Sequence, residues 1–275
     1  MVSSETTFIE ATSRSPAIDP GSVWEYRDLF AVLLWRNICL RYQHTVVGLG
    51  WAALQPFATT LVFVIIIPRL SASSFPQVPY PLVVYSALAP WLYFSRAVTR
   101  ASTSFVEHSD LLGSVYFPRL LLPLVAIVEA LVDFMVICCC LMVFMLFYRV
   151  PPSNMLFMII VFTVMACAAA LGLGLILSVL HVYYRDVFQI VQFSLQLGMV
   201  LNPVCYSIRI FPEPWRWLAG LNPMFGVIAG FRWAILGLDP PGWRMELLSA
   251  VSICGLMMLG LRIFRARQDG VVDVL

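Results

Sequence analysis

The sequence contains no lysine, because all 17 of its basic residues are arginine. A phosphate-binding loop of the form GxxxxGK[ST] needs a lysine ammonium to reach the β- and γ-phosphates of ATP. The chain therefore cannot form such a loop. If ATP drives its work, another subunit must hydrolyse it. We expect no cofactor in this chain, and ATP and Mg²⁺, if they are used, would be bound by that other subunit.

Charge of either sign is scarce. Charged residues make up 12% of the chain and the formal net charge is +2, whereas 61% of the residues are hydrophobic and the mean hydropathy is +0.88. A water-soluble domain cannot keep so apolar a composition on its surface. The weak net charge also offers no basic field for nucleic acid. The composition predicts a polytopic membrane protein with no nucleic-acid partner.

Motifs of catalysis and metal binding are missing as well. The three histidines lie far apart in the sequence, in no metal-ligand or nucleophile motif. The seven cysteines mostly fall inside apolar runs and show no CxxC spacing, so we interpret them as packing residues. We predict neither a catalytic site nor a metal site in this chain.

Six runs are apolar enough to cross a membrane, since a spanning helix needs about 20 residues with few charges. The predicted spans are 46–67, 81–105, 120–148, 155–180, 187–207 and 243–262. Arginines are more numerous in the segments that lie inside when the N-terminus is inside, which predicts that both termini are cytoplasmic. The start of the chain has no apolar core, so we expect no cleaved signal peptide. Residues 1–23 and 266–275 are predicted to be cytoplasmic tails.

A mixed polar and apolar segment precedes the first span. In WEYRDLFAVLLWRNICLRY (24–42), apolar side chains recur at spacings of three and four, and charged residues interrupt the other side. This pattern predicts an amphipathic helix at 24–43, lying on the inner membrane surface. A cytoplasmic packing helix is the alternative.

The segment between the fifth and sixth spans contains the triplet LNP twice, at 201–203 and 221–223. Proline removes a backbone donor and restricts the residue before it, so each triplet interrupts a helix. The surrounding sequence is too polar to cross a bilayer and too apolar for a free loop. We predict two short re-entrant helices at about 209–236, which enter from the outer face and are tolerated where protein or a cavity surrounds them.

Two carboxylates lie inside the predicted third span. Glu129 and Asp133 are four residues apart and therefore on one face of a helix. A charge at mid-membrane costs about 2.5–3.5 kcal/mol on insertion scales, so both must face protein or water, or be protonated. We expect ion pairs with Arg96 or Arg100, and a proton relay is the alternative.

The segment RYQHTVVGLGWAALQP (41–56) carries the most specific motif. It fits the pattern R-Y-x-x-T-x-x-G-x-x-W-x-x-x-Q-P through Arg41, Tyr42, Thr45, Gly48, Trp51, Gln55 and Pro56. With SVYFPRLLLP (114–123), YYRDV (183–187) and LNPMFGVIAGFRWAILG (221–237), it makes the chain resemble a family from about residue 24 to 265. The family is that of the permeases of type-2 ABC exporters that move lipid-linked polysaccharides, namely O-antigen, capsule and teichoic acid.

The resemblance implies an all-α permease of the bacterial inner membrane, with two identical copies joined to two cytoplasmic ATPase subunits and a lipid-linked glycan as substrate. It also implies a coupling helix after the second span and a smaller ATPase contact after the fourth. These map onto Glu107, Asp110, Leu111, Tyr116 and Phe117, and onto Arg185 and Asp186. The broken helices would form an outer gate, with Asn202, Pro203, Trp215, Asn222 and Pro223.

Arginines and polar stripes mark a candidate substrate path. Arg36 and three further arginines near the inner interface suit a pyrophosphate head, with snorkelling as the alternative. Aromatic faces can stack on sugar rings. Amides repeat along one side of the fifth span, and small or polar residues repeat along one side of the first span. Both stripes are predicted to line a glycan channel, with interhelical packing as the alternative. The predicted path residues are Arg41, Tyr42, Gln55, Thr59, Trp91, Tyr93, Arg96, Arg100, Gln189, Gln192 and Gln196.

Export of a lipid-linked polysaccharide is thus the favoured function. A teichoic-acid exporter, or an exporter of a drug or another small lipid, is the alternative within the class. A membrane-embedded glycosyl- or acyltransferase is the alternative from another class, but the clustered acids or membrane-edge histidine motif expected of such an enzyme are missing from the sequence.

Purified without any partner, the chain is expected to hydrolyse no ATP, because it has no lysine for a phosphate-binding loop. The measurement is phosphate release from ATP and Mg²⁺, with an established ATPase in the same detergent as the positive control. Turnover by the chain alone would show that it forms an ATP site of another kind.

Overall fold

The structure, a computed structural model, describes residues 24–43, 50–66, 78–114, 117–206, 208 and 212–271. Within these residues the chain forms helices and turns without any strand. The α-helices are α1 (Arg27–Tyr42), α2 (Gly50–Ile66), α3 (Tyr80–Glu107), α4 (Ser109–Ser114), α5 (Leu121–Phe147), α6 (Met158–Tyr183), α7 (Val187–Leu201), α8 (Pro223–Leu236) and α9 (Trp243–Arg267). Two 3-10 helices cover Glu213–Leu221 and Gln268–Val271.

The fold is that of a helical membrane protein. Among the described residues, α5, α6 and α9 are long and apolar enough to cross a bilayer, and α2 and α7 are shorter apolar helices. A helix occupies each of the six predicted spans, since α3 covers the second. The interface helix predicted at 24–43 corresponds to α1.

Helix α3 lies at the centre of the protein. It packs against α2, α5, α6, α7 and α8. From Tyr80 to Phe94 nearly every side chain of α3 is buried, including the polar Ser86. Towards its C-terminal end, a narrow ridge of polar residues stays partly exposed; the ridge contains Ser95, Arg96, Thr99, Arg100 and Thr103. The ridge is therefore partly exposed, whereas most other side chains of α3 are buried.

Helices α6 and α9 approach each other at two glycines. A Cβ atom added to Gly260 would lie 2.3 Å from the backbone oxygen of Gly172. Small residues allow such close backbone contact between membrane helices. The α6–α9 crossing therefore depends on the absence of a side chain at Gly260.

The two LNP triplets lie next to each other. Asn222 caps α8 by accepting a hydrogen bond from the Met224 amide at 3.1 Å, and its own amide donates to Asn202 Oδ1 at 3.1 Å. Arg232, buried in α8, donates from Nη2 to the Pro203 carbonyl oxygen at 2.6 Å. These contacts join the turn after α7 to the start and the middle of α8.

The predicted helix break between the fifth and sixth spans is confirmed. Pro214–Leu221 and α8 form a pair bent by 108°. The first member belongs to the 3-10 helix Glu213–Leu221, and positions 209–211 of the predicted segment lie outside the described residues. The bend follows from the second LNP triplet, where Asn222 is extended and ends one helix as it caps the next.

At the C-terminal side, α9 continues to Arg267, beyond the predicted end of the span at 262. Phe264 is fully buried and stacks on Phe105 of α3, with ring centroids 5.8 Å apart. The part of α9 beyond the predicted span is therefore held by packing against α3.

The variant Gly260→Ala is expected to lower the free energy of unfolding by about 1–3 kcal/mol, the usual cost of overpacking. Its matched control is Gly255→Ala in the same helix, because a Cβ there would meet nothing within 4 Å. Thermal unfolding midpoints in detergent provide the measurement. Equal midpoints for the two variants would contradict the close α6–α9 crossing.

Candidate functional site

A cluster of buried charges joins α1, α3 and α5. Its centre is Asp133 on α5, whose side chain is 1% exposed. Asp133 Oδ2 lies 2.8 Å from Arg41, 3.2 Å from Arg96 and 3.0 Å from Arg100. These residues and Glu129 are the charge cluster, which contains three guanidinium groups and two carboxylates. Counted formally, it carries one excess positive charge.

Glu129 and Tyr42 complete the bonding of the charge cluster. Glu129 lies 2.9 Å from Arg100 and 3.7 Å from Arg41. The Tyr42 hydroxyl donates a short hydrogen bond to Asp133 Oδ1. Burial, together with that hydrogen bond, raises the pKa of Tyr42 to about 12. The phenol therefore keeps its proton and acts as a donor at neutral pH.

Helical spacing explains why these charges meet. Glu129 and Asp133 lie four residues apart on α5, and Arg96 and Arg100 lie four apart on α3, so each pair forms one stripe. The predicted pairing of the carboxylates with these arginines is confirmed. The additional contact of Arg41 was not predicted. The signal for it was the excess of buried charge on α5, which needs several partners in a membrane.

The polar ridge of α3 also bonds to α2 and α7. Arg96 Nη2 donates to Gln55 Oε1 at 2.7 Å. On the other side, Gln192 Nε2 donates to Thr99 Oγ1 at 3.3 Å. The ridge therefore connects the two stripes predicted to line a channel. Of the other members of the predicted stripes, Gln189 and Gln196 are exposed and Thr59 is half-buried, whereas Ala52 is buried and Gly48 lies outside the described residues.

A cavity of about 530 Å³ opens beside the charge cluster, between α1, the C-terminal end of α3 and the N-terminal half of α5. Its lining includes Arg36, Arg41, Arg100, His108, Glu107 and Glu129. Two arginines of the charge cluster thus reach the cavity, and Arg36 adds a third guanidinium. Guanidinium groups bind phosphate oxygens with bidentate geometry. The cavity could hold an anionic head group.

The two aromatic residues that α3 contributes to the predicted path lie in different surroundings. Tyr93 is 1% exposed and donates to Cys167 Sγ at 3.0 Å, so it belongs to the core. Trp91 is also buried but borders an apolar cavity of about 390 Å³, together with Gly198 and Asn222. Neither ring belongs to the polar ridge of α3, which begins at Ser95, after both residues.

The predicted ATPase-contact residues are mostly at the surface. The exposed ones are Glu107, Asp110, Arg185 and Asp186. Leu111 in α4 is half-buried, and Tyr116 lies outside the described residues. Phe117 is 6% exposed and belongs to one apolar cluster with Phe105 and Leu175. In this chain Phe117 anchors the loop instead of lining its surface.

The predicted gate residues are brought together around the LNP triplets. Asn202 and Pro203 are buried, and Asn222 and Pro223 are half-buried at the start of α8. Trp215, in the preceding 3-10 helix, is 64% exposed. Sequence reasoning missed Arg232, whose signal was a lone cation inside an otherwise apolar helix.

The chain is similar to one protein family and to several named proteins. Residues 28–236 match the ABC-2 type transporter family. The chain is 24% identical over 251 residues to the O-antigen export system permease protein RfbA of Klebsiella pneumoniae, and 27% identical over 251 residues to that of Myxococcus xanthus. Each alignment covers 90% of this chain and 95% of the relative. The polysialic acid transport protein KpsM of Escherichia coli is 22% identical, with 87% and 93% covered.

Replacement of Asp133 by Asn is expected to destabilise the protein by about 3 kcal/mol, at the low end of the cost of breaking a buried ion pair, because the three guanidinium groups left around a neutral amide are partly exposed. Glu129→Gln is the matched control. Its effect should be smaller, because the Glu129 side chain contacts two arginines and is 11% exposed. The measurement is the thermal unfolding midpoint in detergent. Equal losses, or a larger loss for Glu129→Gln, would show that Asp133 is not the centre.

Proposed function

The chain belongs to the ABC-2 type transporter family, and on that premise we propose that it is the permease subunit of an ATP-driven exporter of a lipid-linked polysaccharide. Its relatives are named for O-antigen export and polysialic acid transport, and they align over nearly their full lengths. The observation that carries the proposal is the continuity of the cationic cavity, the charge cluster and the polar ridge. A substrate with an anionic head and a hydroxyl-rich chain fits that sequence of surfaces.

The proposed architecture has six spans, α2, α3, α5, α6, α7 and α9, in the bacterial inner membrane with both termini cytoplasmic. The cations of α3 support its membrane position, because Arg96 and Arg100 pair with Asp133 and need not face lipid. The bent pair between α7 and α9 would then re-enter from the outer face and serve as the gate. The contact between Asn202 and Asn222 would link that gate to the outer end of α7.

Two copies of the chain are proposed to form the channel. Only Val191 and Leu195 of α7 are buried in the single chain, whereas Gln192 and Gln196 are exposed. Gln192 donates to Thr99, but both amides remain exposed, and the polar atoms of an amide that face hydrocarbon without a partner cost several kcal/mol. Water or a second copy of the chain must therefore cover this side of α7. A channel between two copies, lined by α2 and α7 of each, would supply both the water and the second copy.

The charge cluster and the cavity would receive the lipid diphosphate head. Arg36 and Arg41 would reach its oxygens from α1, and Arg100 from α3. Because Glu129 and Asp133 balance most of the positive charge, the head would be attracted but not held strongly. Weak holding suits a conduit, since the substrate has to move on.

The glycan would follow the amides of α2 and α7. A glutamine side chain can both donate and accept hydrogen bonds, so it can contact sugar hydroxyls in many registers. Gln55 and Gln192 lie on opposite sides of the α3 ridge, each bonded to it. The path would therefore run along that ridge between the two helices.

ATP hydrolysis would occur in two separate cytoplasmic subunits that contact the segment 107–117 and the turn 184–186. The exposure of Asp110, Arg185 and Asp186 supports these contacts. Because these segments lie at the C-terminal ends of α3 and α6, movement of the ATPase subunits would pass into these two helices. The chain itself would carry out transport and no chemical step.

The double variant Gln192→Leu with Gln196→Leu is expected to slow polysaccharide export several-fold, because it removes two amides from the proposed path. The matched control, Gln192→Asn with Gln196→Asn, keeps the amide groups and should export more than the leucine variant. The measurement is surface polysaccharide in cells, with co-purification of the ATPase subunit to show assembly. Normal export by the leucine variant, or its failure to assemble, would place the channel elsewhere. Absence of polysaccharide export by the unaltered chain would contradict the function itself.

A further inference from the structure

The 3-10 turn Gln268–Val271, beyond the end of α9, packs into the protein. Val271 is fully buried and Gln268 is 8% exposed. Gly270 lies so close to the end of α6 that an added Cβ atom would be 2.9 Å from the Tyr183 hydroxyl oxygen. A turn so buried is part of the folded domain, although the family match ends at residue 236.

The same turn is bonded to the segment that leads into α5. Arg119 Nη1 donates a short hydrogen bond to the backbone oxygen of Gln268. Val271 belongs to one apolar cluster with Phe117 and Leu120, which flank Arg119. The turn therefore contacts the end of α6 on one side and residues 117–120 on the other.

These two contacts lie at the bases of the proposed ATPase-contact segments. Tyr183 is the last residue of α6 and directly precedes the exposed residues 184–186. Phe117 ends the segment that contains α4. The two segments are far apart in sequence, and the C-terminal turn packs between their anchoring residues.

We propose that Gln268–Val271 is a positioning element that holds the two segments together as one docking surface for the ATPase subunit. The inference rests on the proposed function, because it assumes that the two segments contact that subunit. Exposed loops open locally at low free energy unless packing holds them. Movement of the ATPase subunit reaches both α3 and α6 only if the segments keep a fixed distance. The buried turn supplies that constraint.

The test compares two truncated chains, each purified with the ATPase subunit that accompanies the full-length chain. Truncation after Arg267 removes the turn, whereas truncation after Val271 removes only residues 272–275. The first is expected to lower the amount of polysaccharide exported per ATP hydrolysed several-fold, or to reduce co-purification of the ATPase subunit several-fold. The second should behave like the full-length chain.

Gel filtration and thermal unfolding of the permease alone show whether each truncated chain folds. If truncation after Arg267 prevents folding, the same export and co-purification measurements are made on Arg119→Ala. This variant removes the hydrogen bond to Gln268 and leaves the residues of the turn in the chain. Folded variants with normal assembly and normal export per ATP would overturn the inference. A full-length chain that binds no ATPase subunit would instead contradict the proposed function, so the two failures are distinguishable.

Discussion

The fold depends on the burial of a carboxylate in a membrane helix. Asp133 is almost inaccessible, and a lone charge in such surroundings is costly, so guanidinium groups must come to it. Two come from α3 and one from the end of α1. Their convergence joins α3 to α5 and holds α1 against α5. Helix α2 begins at Gly50, soon after Tyr42 in the sequence.

The same requirement connects structure and transport. A cluster with three cations and two carboxylates stabilises the helices and still leaves an excess of positive charge beside an open cavity. Arg96 belongs both to this cluster and to the polar ridge, through Asp133 and Gln55. Arg96 therefore connects the charge cluster directly with an amide of α2. At the other end, Arg232 and the paired asparagines tie the turn after α7 to α8.

Local patterns predicted the elements better than their contacts. Apolar runs located the helices in all six predicted spans, and the LNP triplets located the helix break, because both signals depend on neighbouring residues. The facing pairs on α3 and α5 could also be predicted, since four-residue spacing fixes a helix face. The contact of Asn202 with Asn222 and the contact of Arg119 with Gln268 depend on how distant helices pack. No local pattern indicates those contacts. The burial of Tyr93 and Phe117 is likewise a consequence of packing, since aromatic residues are equally common at interfaces.

The most direct test of the account is a transport measurement in proteoliposomes that contain the purified chain and its ATPase subunit. A lipid-diphosphate-linked polysaccharide would be placed on the face that exposes the ATPase subunit, and its arrival at the other face would be followed with an impermeant sugar-modifying enzyme. The account predicts transfer that requires ATP and that decreases when the same glycan is carried on a lipid without the diphosphate. ATP hydrolysis without transfer of the polysaccharide, or transfer that ignores the charge of the head, would contradict it.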